Sequence, residues 1–148
     1  MCPTPLLPRV TVAAVVERAG RFLVVEETIA GVRVWNQPAG HLDPGEDLVG
    51  AVIRETLEET GWRFVPEHVV GIYLWASPAG GPAFLRVAFA GRVEGEPVPE
   101  LDPDILRTAW LTRDELAAAG PRSPLVLRCA DDYVAGARFP LSLLQAVP

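Results

Sequence analysis

The chain has 148 residues, of which 49% are hydrophobic and 22% are charged, and its formal net charge is −6. These values are usual for one globular domain, and we expect a single domain over residues 1–148. The basic residues form no cluster, which argues against a polymeric nucleic-acid partner, and no apolar run is long enough to span a membrane.

The first part of the chain alternates β-branched runs with turn-forming residues. It predicts a strand at 9–16, a hairpin turn at 17–20, a strand at 22–27, and a short strand at 32–35 before a loop with Pro38 and Gly40. A helix is then predicted over residues 48–60. Asp47 is a suitable N-cap for it, and Gly61 stands where a left-handed residue commonly ends a helix.

The second part of the chain contains further strands and then two helices. It predicts strands at 62–65, 69–76, 83–93 and 105–111, helices at 112–119 and 124–135, and an apolar tail at 138–144 that can pack. Thr112 and Ser123 are expected to cap the two helices, and Pro124 suits a first helical position. This order differs from the strict alternation of a parallel βαβ protein. It indicates an α+β fold with a mixed sheet and helices on both faces.

Three glutamates share one side of the predicted helix 48–60. At about 100° per residue, Glu55, Glu58 and Glu59 lie on one stripe. The opposite stripe, which we expect to face the core, consists of Val49, Ile53 and Leu57. Carboxylates crowded in this way destabilise a helix, and a hard cation such as Mg²⁺, which prefers oxygen ligands, would explain them. The alternative is a solvated helix face, which most glutamate clusters are.

Residues 40–62 resemble the Nudix box, GX₅EX₇REUXEEXGU, where U is an apolar residue. The matching fixed positions are Gly40, Glu46, Arg54, Glu55, Glu58, Glu59 and Gly61. Trp62 fills the last apolar position. Thr56 stands where the family usually has an aliphatic residue, and its methyl group can still pack. The resemblance implies the Nudix α/β/α sandwich, with a central mixed β-sheet and a loop–helix–loop, and Mg²⁺-dependent hydrolysis of a phosphoanhydride bond.

The resemblance also implies a role for each matched residue. The implied metal ligands are the Gly40 carbonyl, Glu55, Glu58 and Glu59, and the three glutamates are the catalytic candidates. Glu55 would be a further ligand or the group that orients the attacking water. Glu46 would pair with Arg54 and support the loop–helix geometry. The cofactor would be Mg²⁺, with Mn²⁺ as a substitute, and it would neutralise phosphate charge and activate water.

The stretches around the box add a narrower resemblance. VTVAAVV, FLVVEETI, VWNQPAGHL, FLR and RSPLV are similar to the small Nudix phosphatases that release orthophosphate from nucleoside tri- and diphosphates and from thiamine-related pyrophosphates. This resemblance implies a small phosphorylated substrate. Two alternatives stay open: a pyrophosphatase for ADP-ribose or another nucleoside-diphosphate-X compound, and a non-catalytic Nudix module that senses a nucleotide.

Seven residues outside the box are candidates for substrate contact. They are Glu26, Trp35, Asn36, Gln37, Tyr73, Trp75 and Arg86. Aromatic rings could stack on a base or pyrimidine, and an arginine in an apolar strand could reach a phosphate. The competing interpretations are core aromatics, a structural arginine and a solvated strand end at Glu26 and Glu27.

The cysteines and the N-terminal residues indicate the cellular compartment in which we expect the protein. Cys2 and Cys129 predict neither a disulfide framework nor a zinc site, and residues 1–5 lack the features of a signal peptide. We therefore expect a cytoplasmic protein. We expect a monomer or a homodimer, because an edge strand such as 69–76 could pair with a second copy.

Overall fold

Two β-sheets and three helices make up the computed structural model, which describes residues 3–148. The strands are β1 (Arg9–Val15), β2 (Glu17–Arg18), β3 (Arg21–Ile29), β4 (Val32–Asn36), β5 (Ala39–His41), β6 (Arg63–Ala76), β7 (Ala83–Glu94) and β8 (Ile105–Leu111). The helices are α1 (Leu48–Thr60), α2 (Arg113–Ala119) and α3 (Pro124–Val134), followed by a 3-10 turn at Leu141–Leu143. The predicted α+β class is confirmed. Among residues 3–148, no helix is long and apolar enough to cross a membrane.

The predicted mixed sheet is the first of the two. Its order is β5-β1-β7-β6, with β1 parallel to β7 and the other pairs antiparallel. The second sheet is antiparallel, and in it β3 pairs with β2, β4 and β8. The sequence did not indicate that the remaining strands form a sheet of their own, because strand partners depend on contacts that are distant along the chain.

Helices cover both faces of the first sheet, as predicted. Val12 and Ala14 of β1 belong to the core that includes Val52 of α1. Val15 belongs to a second core that includes Val126 of α3. Because successive side chains of a strand point to opposite faces, α1 and α3 lie on opposite sides of the sheet.

Two predicted boundaries in the sheets differ from the structure. The strands expected at 62–65 and 69–76 are one strand, β6, whose register against β7 shifts between Pro66 and His68. Pro66 has no N–H to donate to the ladder, which accounts for this irregularity. The loop expected around Gly40 contains the short strand β5, which pairs with β1.

The ends of α1 form as predicted. The Asp47 side chain accepts a hydrogen bond from the Gly50 N–H at 2.7 Å, and Gly61 adopts a left-handed conformation with φ of 76°. A Cβ at Gly61 would also overlap the backbone carbonyl of Val98. The helix therefore begins and ends at residues that satisfy its free backbone groups.

The buried face of α1 differs in part from the predicted one, although Val49 packs against the core as expected. Leu57, expected in the core, is 42% exposed, whereas Val52, Thr56 and Thr60 are buried. The hydroxyls of Thr56 and Thr60 donate to the backbone carbonyls four residues earlier, at 2.7 and 2.6 Å, so both side chains can be buried without an unsatisfied polar atom. The buried face thus lies beside the glutamate stripe, and Glu59 lies on it.

Candidate active site

A cavity of about 520 Å³ is lined by residues from both sheets and from α1 and α3. Its charged lining residues are Glu27, Asp43, Glu55, Glu59, Arg86 and Arg122. Gly40 and His41 lie on the same wall as the acids, and Trp75 and Phe84 supply aromatic surface. The cavity therefore combines three of the four implied metal ligands with arginines and rings that the box does not contain.

Glu59 is held in this wall by the packing of α1. Its side chain is only 8% exposed, and it accepts a hydrogen bond from the Ala39 backbone N–H at 2.7 Å. Burial raises the pKa of Glu59 to about 8, although the Ala39 hydrogen bond opposes this shift. The negative charges of Glu55 and Glu27 add to the increase. Within residues 3–148, Glu59 is therefore a buried carboxyl that lacks a positive partner.

Glu55 lies beside Gly40, one turn before Glu59. An ideal Cβ at Gly40 would overlap the Glu55 carboxylate, so this close approach requires glycine at position 40. Burial raises the pKa of Glu55, against the effect of a hydrogen bond from Arg54 at 2.9 Å. The β5 backbone and the α1 carboxylates thus form one oxygen-rich surface.

Arg54 ties the loop before α1 to the helix. Its Nε and Nη2 donate to both oxygens of Glu46, at 2.7 and 3.0 Å, and Nη2 also donates to the His41 carbonyl at 3.1 Å. These hydrogen bonds raise the pKa of Arg54 and lower that of Glu46. The geometry fits the supporting role that the resemblance implies for this pair.

Glu58 differs in position from its two neighbours on the stripe. Its side chain is 47% exposed, is not among the residues that line the cavity, and accepts a hydrogen bond from Arg54 at 3.2 Å. Its backbone carbonyl accepts from the Asp102 N–H at 2.7 Å, which anchors the loop before β8.

Three of the seven candidates outside the box line the cavity, namely Asn36, Trp75 and Arg86. Trp75 stacks on Phe84 with ring centroids 6.4 Å apart and an interplanar angle of 17°. Asn36 and Arg86 are both buried, and Arg86 Nη2 donates to Asn36 Oδ1 at 3.1 Å.

The other four candidates, Glu26, Trp35, Gln37 and Tyr73, do not line the cavity, and their contact with substrate stays a prediction. Glu26 pairs with Arg107, whose guanidinium also covers the buried ring of Trp35 at 5.1 Å. The Tyr73 hydroxyl instead donates to Asp132 on α3 at 2.8 Å.

Gln37, the remaining candidate that does not line the cavity, contacts Arg86, which does. Its side chain is 2% exposed, and its carbonyl oxygen accepts from Arg86 Nη1 at 3.0 Å. It therefore belongs to the layer behind the cavity.

Several lining residues were not among the substrate contacts predicted from the sequence. Glu27 follows Glu26 on β3 and points to the opposite face, where it pairs with Arg122. Only the register of β3 decides which of the two glutamates faces the cavity. Arg122 and Ser123 belong to the RSPLV stretch, and Phe84 precedes Arg86 by two residues, so strand alternation could have suggested it.

The oxygen-rich wall suits a hard divalent cation. Glu59 is buried and Glu55 is partly buried near the Gly40 backbone, and burial raises both pKa values, although the Arg54 hydrogen bond opposes the shift at Glu55. The described residues place no paired positive charge against Glu59. A divalent cation would supply that charge. Within residues 3–148, no three His, Cys, Asp or Glu side chains converge as ligands, and Arg54 pairs with both Glu55 and Glu58.

Comparison with known proteins agrees with this geometry. The NUDIX domain family model matches residues 7–129. The chain is 46% identical over 139 residues to Phosphatase NudJ of Escherichia coli K12 and of Shigella flexneri. The matched segment covers 93% of this chain and 90% of each relative. A solved NUDIX hydrolase from Nitrosomonas europaea superposes with a TM-score of 0.91 at 47% identity, covering 95% of this chain and 98% of that one. The chain therefore belongs to the NUDIX family and is a hydrolase of pyrophosphate bonds.

Proposed function

We propose that this hydrolase releases orthophosphate, with Mg²⁺, from a small nucleoside di- or triphosphate or a thiamine-type pyrophosphate. The observation that carries the proposal is the convergence of Gly40, Glu55 and Glu59 in one cavity with two arginines. Orthophosphate as the product is supported by the similarity to Phosphatase NudJ at 46% identity. A non-catalytic sensing module is not supported, because the chain belongs to a family of hydrolases and keeps all four glutamates of the box.

The metal-binding residues in this proposal are the Gly40 carbonyl, Glu55, Glu58 and Glu59. Hydrolases of the family generally need a divalent metal ion, and oxygen ligands favour Mg²⁺, with Mn²⁺ as a substitute. When bound, the ion neutralises phosphate charge and lowers the pKa of a coordinated water. Glu55 and Glu59 keep carboxylate oxygens at the cavity wall, and the Ala39 N–H fixes the direction of Glu59. Glu46 and Arg54 hold the loop and the helix in register.

The remaining walls fit the two ends of such a substrate. Trp75 and Phe84 form a nearly parallel pair of rings that can pack against a base or a pyrimidine. Arg86 and Arg122 place positive charge in the same cavity. A volume of about 520 Å³ accommodates a small molecule, so polymeric nucleic acid is not the proposed partner.

Three further expectations remain part of the proposal. Residues 1–148 act as one domain, the protein is cytoplasmic, and it is a monomer or a homodimer. The last follows from β6, which is an edge strand of the first sheet and pairs along one side with β7. Size-exclusion chromatography distinguishes the two assemblies.

The proposal is tested by product analysis on a substrate panel. The panel contains GTP, GDP, thiamine pyrophosphate, hydroxymethylpyrimidine pyrophosphate and ADP-ribose, each incubated with and without Mg²⁺ and separated by ion-pair chromatography. Orthophosphate from the first four substrates, lost in Glu58→Gln and Glu59→Gln, is the expected result. AMP and ribose phosphate from ADP-ribose would instead support the alternative pyrophosphatase.

A further inference from the structure

In the part of the chain that the structure describes, Arg86 is a buried cation without an anionic partner. Its side chain is 6% exposed, and its two terminal nitrogens donate to neutral amide oxygens of Gln37 and Asn36, at 3.0 and 3.1 Å. Its Nε is buried and has no hydrogen-bond partner among residues 3–148. Removing a guanidinium from water without an opposite charge is unfavourable, so this arrangement needs a physical reason.

The two amides hold the guanidinium in a fixed direction. The Gln37 Nε2 donates to the Val126 carbonyl in the first turn of α3 at 2.7 Å. Because its nitrogen is engaged there, the Gln37 oxygen has to face Arg86. Asn36 contacts the other terminal nitrogen from the end of β4. Each terminal nitrogen therefore donates one of its two N–H groups to the protein and keeps the other for another acceptor.

None of the neighbouring groups among the described residues supplies the missing negative charge. Burial raises the pKa of the Cys129 thiol, although Arg86 opposes this shift, so the thiol stays neutral. Burial also raises the pKa of Tyr73, whose hydroxyl donates to Asp132. Arg122, which also lines the cavity, is paired with Glu27. Arg86 therefore keeps an uncompensated charge in the cavity wall.

We infer that Arg86 binds a phosphoryl oxygen of the substrate's diphosphate group, with Asn36 and Gln37 as positioning residues. This inference rests on the proposed function, because it assigns the anion of that same cavity. A remaining terminal N–H would donate to the phosphoryl oxygen, and the guanidinium charge would offset part of the phosphate charge. Glu55 and Glu59 line the same cavity. A diphosphate would therefore lie between the Arg86 guanidinium and the carboxylates that would hold the metal ion.

The test measures binding of an uncleavable diphosphate analogue. Calorimetry with methylenediphosphonate and Mg²⁺ is carried out on wild type, Arg86→Lys, Arg86→Gln and Asn36→Asp. Asn36→Asp keeps Arg86 in place but gives it an internal counter-ion. The matched control is Arg92→Gln on the same strand, whose guanidinium pairs with Glu67 and Glu94 at the exposed end of β7.

We expect Arg86→Gln and Asn36→Asp to bind methylenediphosphonate roughly tenfold more weakly, Arg86→Lys to lie between them and wild type, and Arg92→Gln to be unchanged. Wild-type affinity in a folded Arg86→Gln overturns the inference. If Arg86→Gln does not fold, wild-type affinity in Asn36→Asp overturns it. Malonate binding as tightly as the diphosphonate would overturn the assignment to a phosphoryl group.

The binding test separates this inference from the proposed function. A protein that binds methylenediphosphonate through Arg86 but hydrolyses nothing on the panel refutes only the proposed activity. A protein that hydrolyses the panel, with the same diphosphonate affinity in Arg86→Gln, refutes only the role of Arg86.

Discussion

The carboxylate of Glu55 occupies the space in which a side chain at position 40 would begin. Gly40 does not have a left-handed φ, so its backbone conformation does not demand glycine. The requirement is close approach between β5 and α1. The Glu55 carboxylate is the end of a flexible side chain and can move away from an added methyl group. A substitution at position 40 should therefore displace Glu55 and leave the fold intact.

Gly40→Ala is expected to lower kcat/KM by roughly 100-fold, because a displacement of about an ångström in a catalytic arrangement has an effect of that size. The melting temperature should stay near that of wild type. The control is Gly40→Ala combined with Glu55→Asp, in which the shorter side chain leaves room and part of the activity returns. Full activity in Gly40→Ala would show that the position of Glu55 does not matter.

Glu46→Gln is expected to weaken metal binding without unfolding the protein. The substitution removes the charge that anchors both Nε and Nη2 of Arg54, and groups that orient metal ligands usually contribute roughly 10–100-fold to metal affinity or activity. Mn²⁺ binding followed by electron paramagnetic resonance measures the change. Glu67→Gln, which removes an exposed partner of Arg92, is the control. Equal Mn²⁺ affinities in the two variants would argue against a supporting role for Glu46.

The metal-free protein should lose stability as the pH rises from about 5 to about 8. In the unfolded chain Glu59 ionises near its ordinary value of 4.5, whereas in the fold its pKa is about 8. Between these values unfolding releases a proton, so a higher pH favours unfolding. Denaturant midpoints measured in EDTA should fall across this range in wild type and fall less in Glu59→Gln. If the denaturant midpoint fell equally with pH in the two proteins, the raised pKa would not belong to Glu59.

Saturating Mg²⁺ should reduce this loss, because the ion binds the ionised carboxylates of the fold and stabilises the folded state. The apparent Mg²⁺ affinity should accordingly rise with pH up to about 8, as the Glu59 carboxyl loses its proton. Calorimetry at several pH values measures this directly. An affinity that is independent of pH would mean that Glu59 is not a ligand.

Trp75→Ala is expected to raise KM roughly tenfold for substrates that carry a ring, because stacking on an aromatic side chain contributes about 1–3 kcal/mol per base. Binding of methylenediphosphonate, which has no ring, should not change. Phe84→Ala should show the same pattern, since the two rings stack on each other. An equal loss of affinity for both kinds of ligand would indicate a general distortion of the cavity.

Local features of the sequence were sufficient to predict the two ends of α1 and to identify the Nudix box. Asp47 and Gly61 act through neighbouring backbone groups, and the spacing of Glu55 and Glu59 brings both to the cavity wall. The prediction for the buried face of α1 was wrong at Leu57, because the core stripe was expected opposite the glutamates. Thr56 and Thr60 are buried instead, with hydroxyls that donate to backbone carbonyls. The position of Leu57 shows the consequence.

Contacts between strands that are distant along the chain could not be predicted from the sequence. The choice between Glu26 and Glu27 depends on how β3 pairs with β4 and β8. Arg122 reaches the cavity only because the segment before α3 lies beside β4, as the bridge between Trp35 and Pro121 shows. Such pairings follow from tertiary packing, which a single sequence does not display.

The most direct measurement is phosphorus NMR of GTP hydrolysis by wild type and Glu59→Gln, with Mg²⁺ and with EDTA. We predict that wild type with Mg²⁺ produces orthophosphate and GDP, and that EDTA or Glu59→Gln abolishes the reaction. Pyrophosphate and GMP as the first products would contradict orthophosphate release. Hydrolysis that continues in EDTA, or in Glu59→Gln at the wild-type rate, would contradict a metal site at this wall of the cavity.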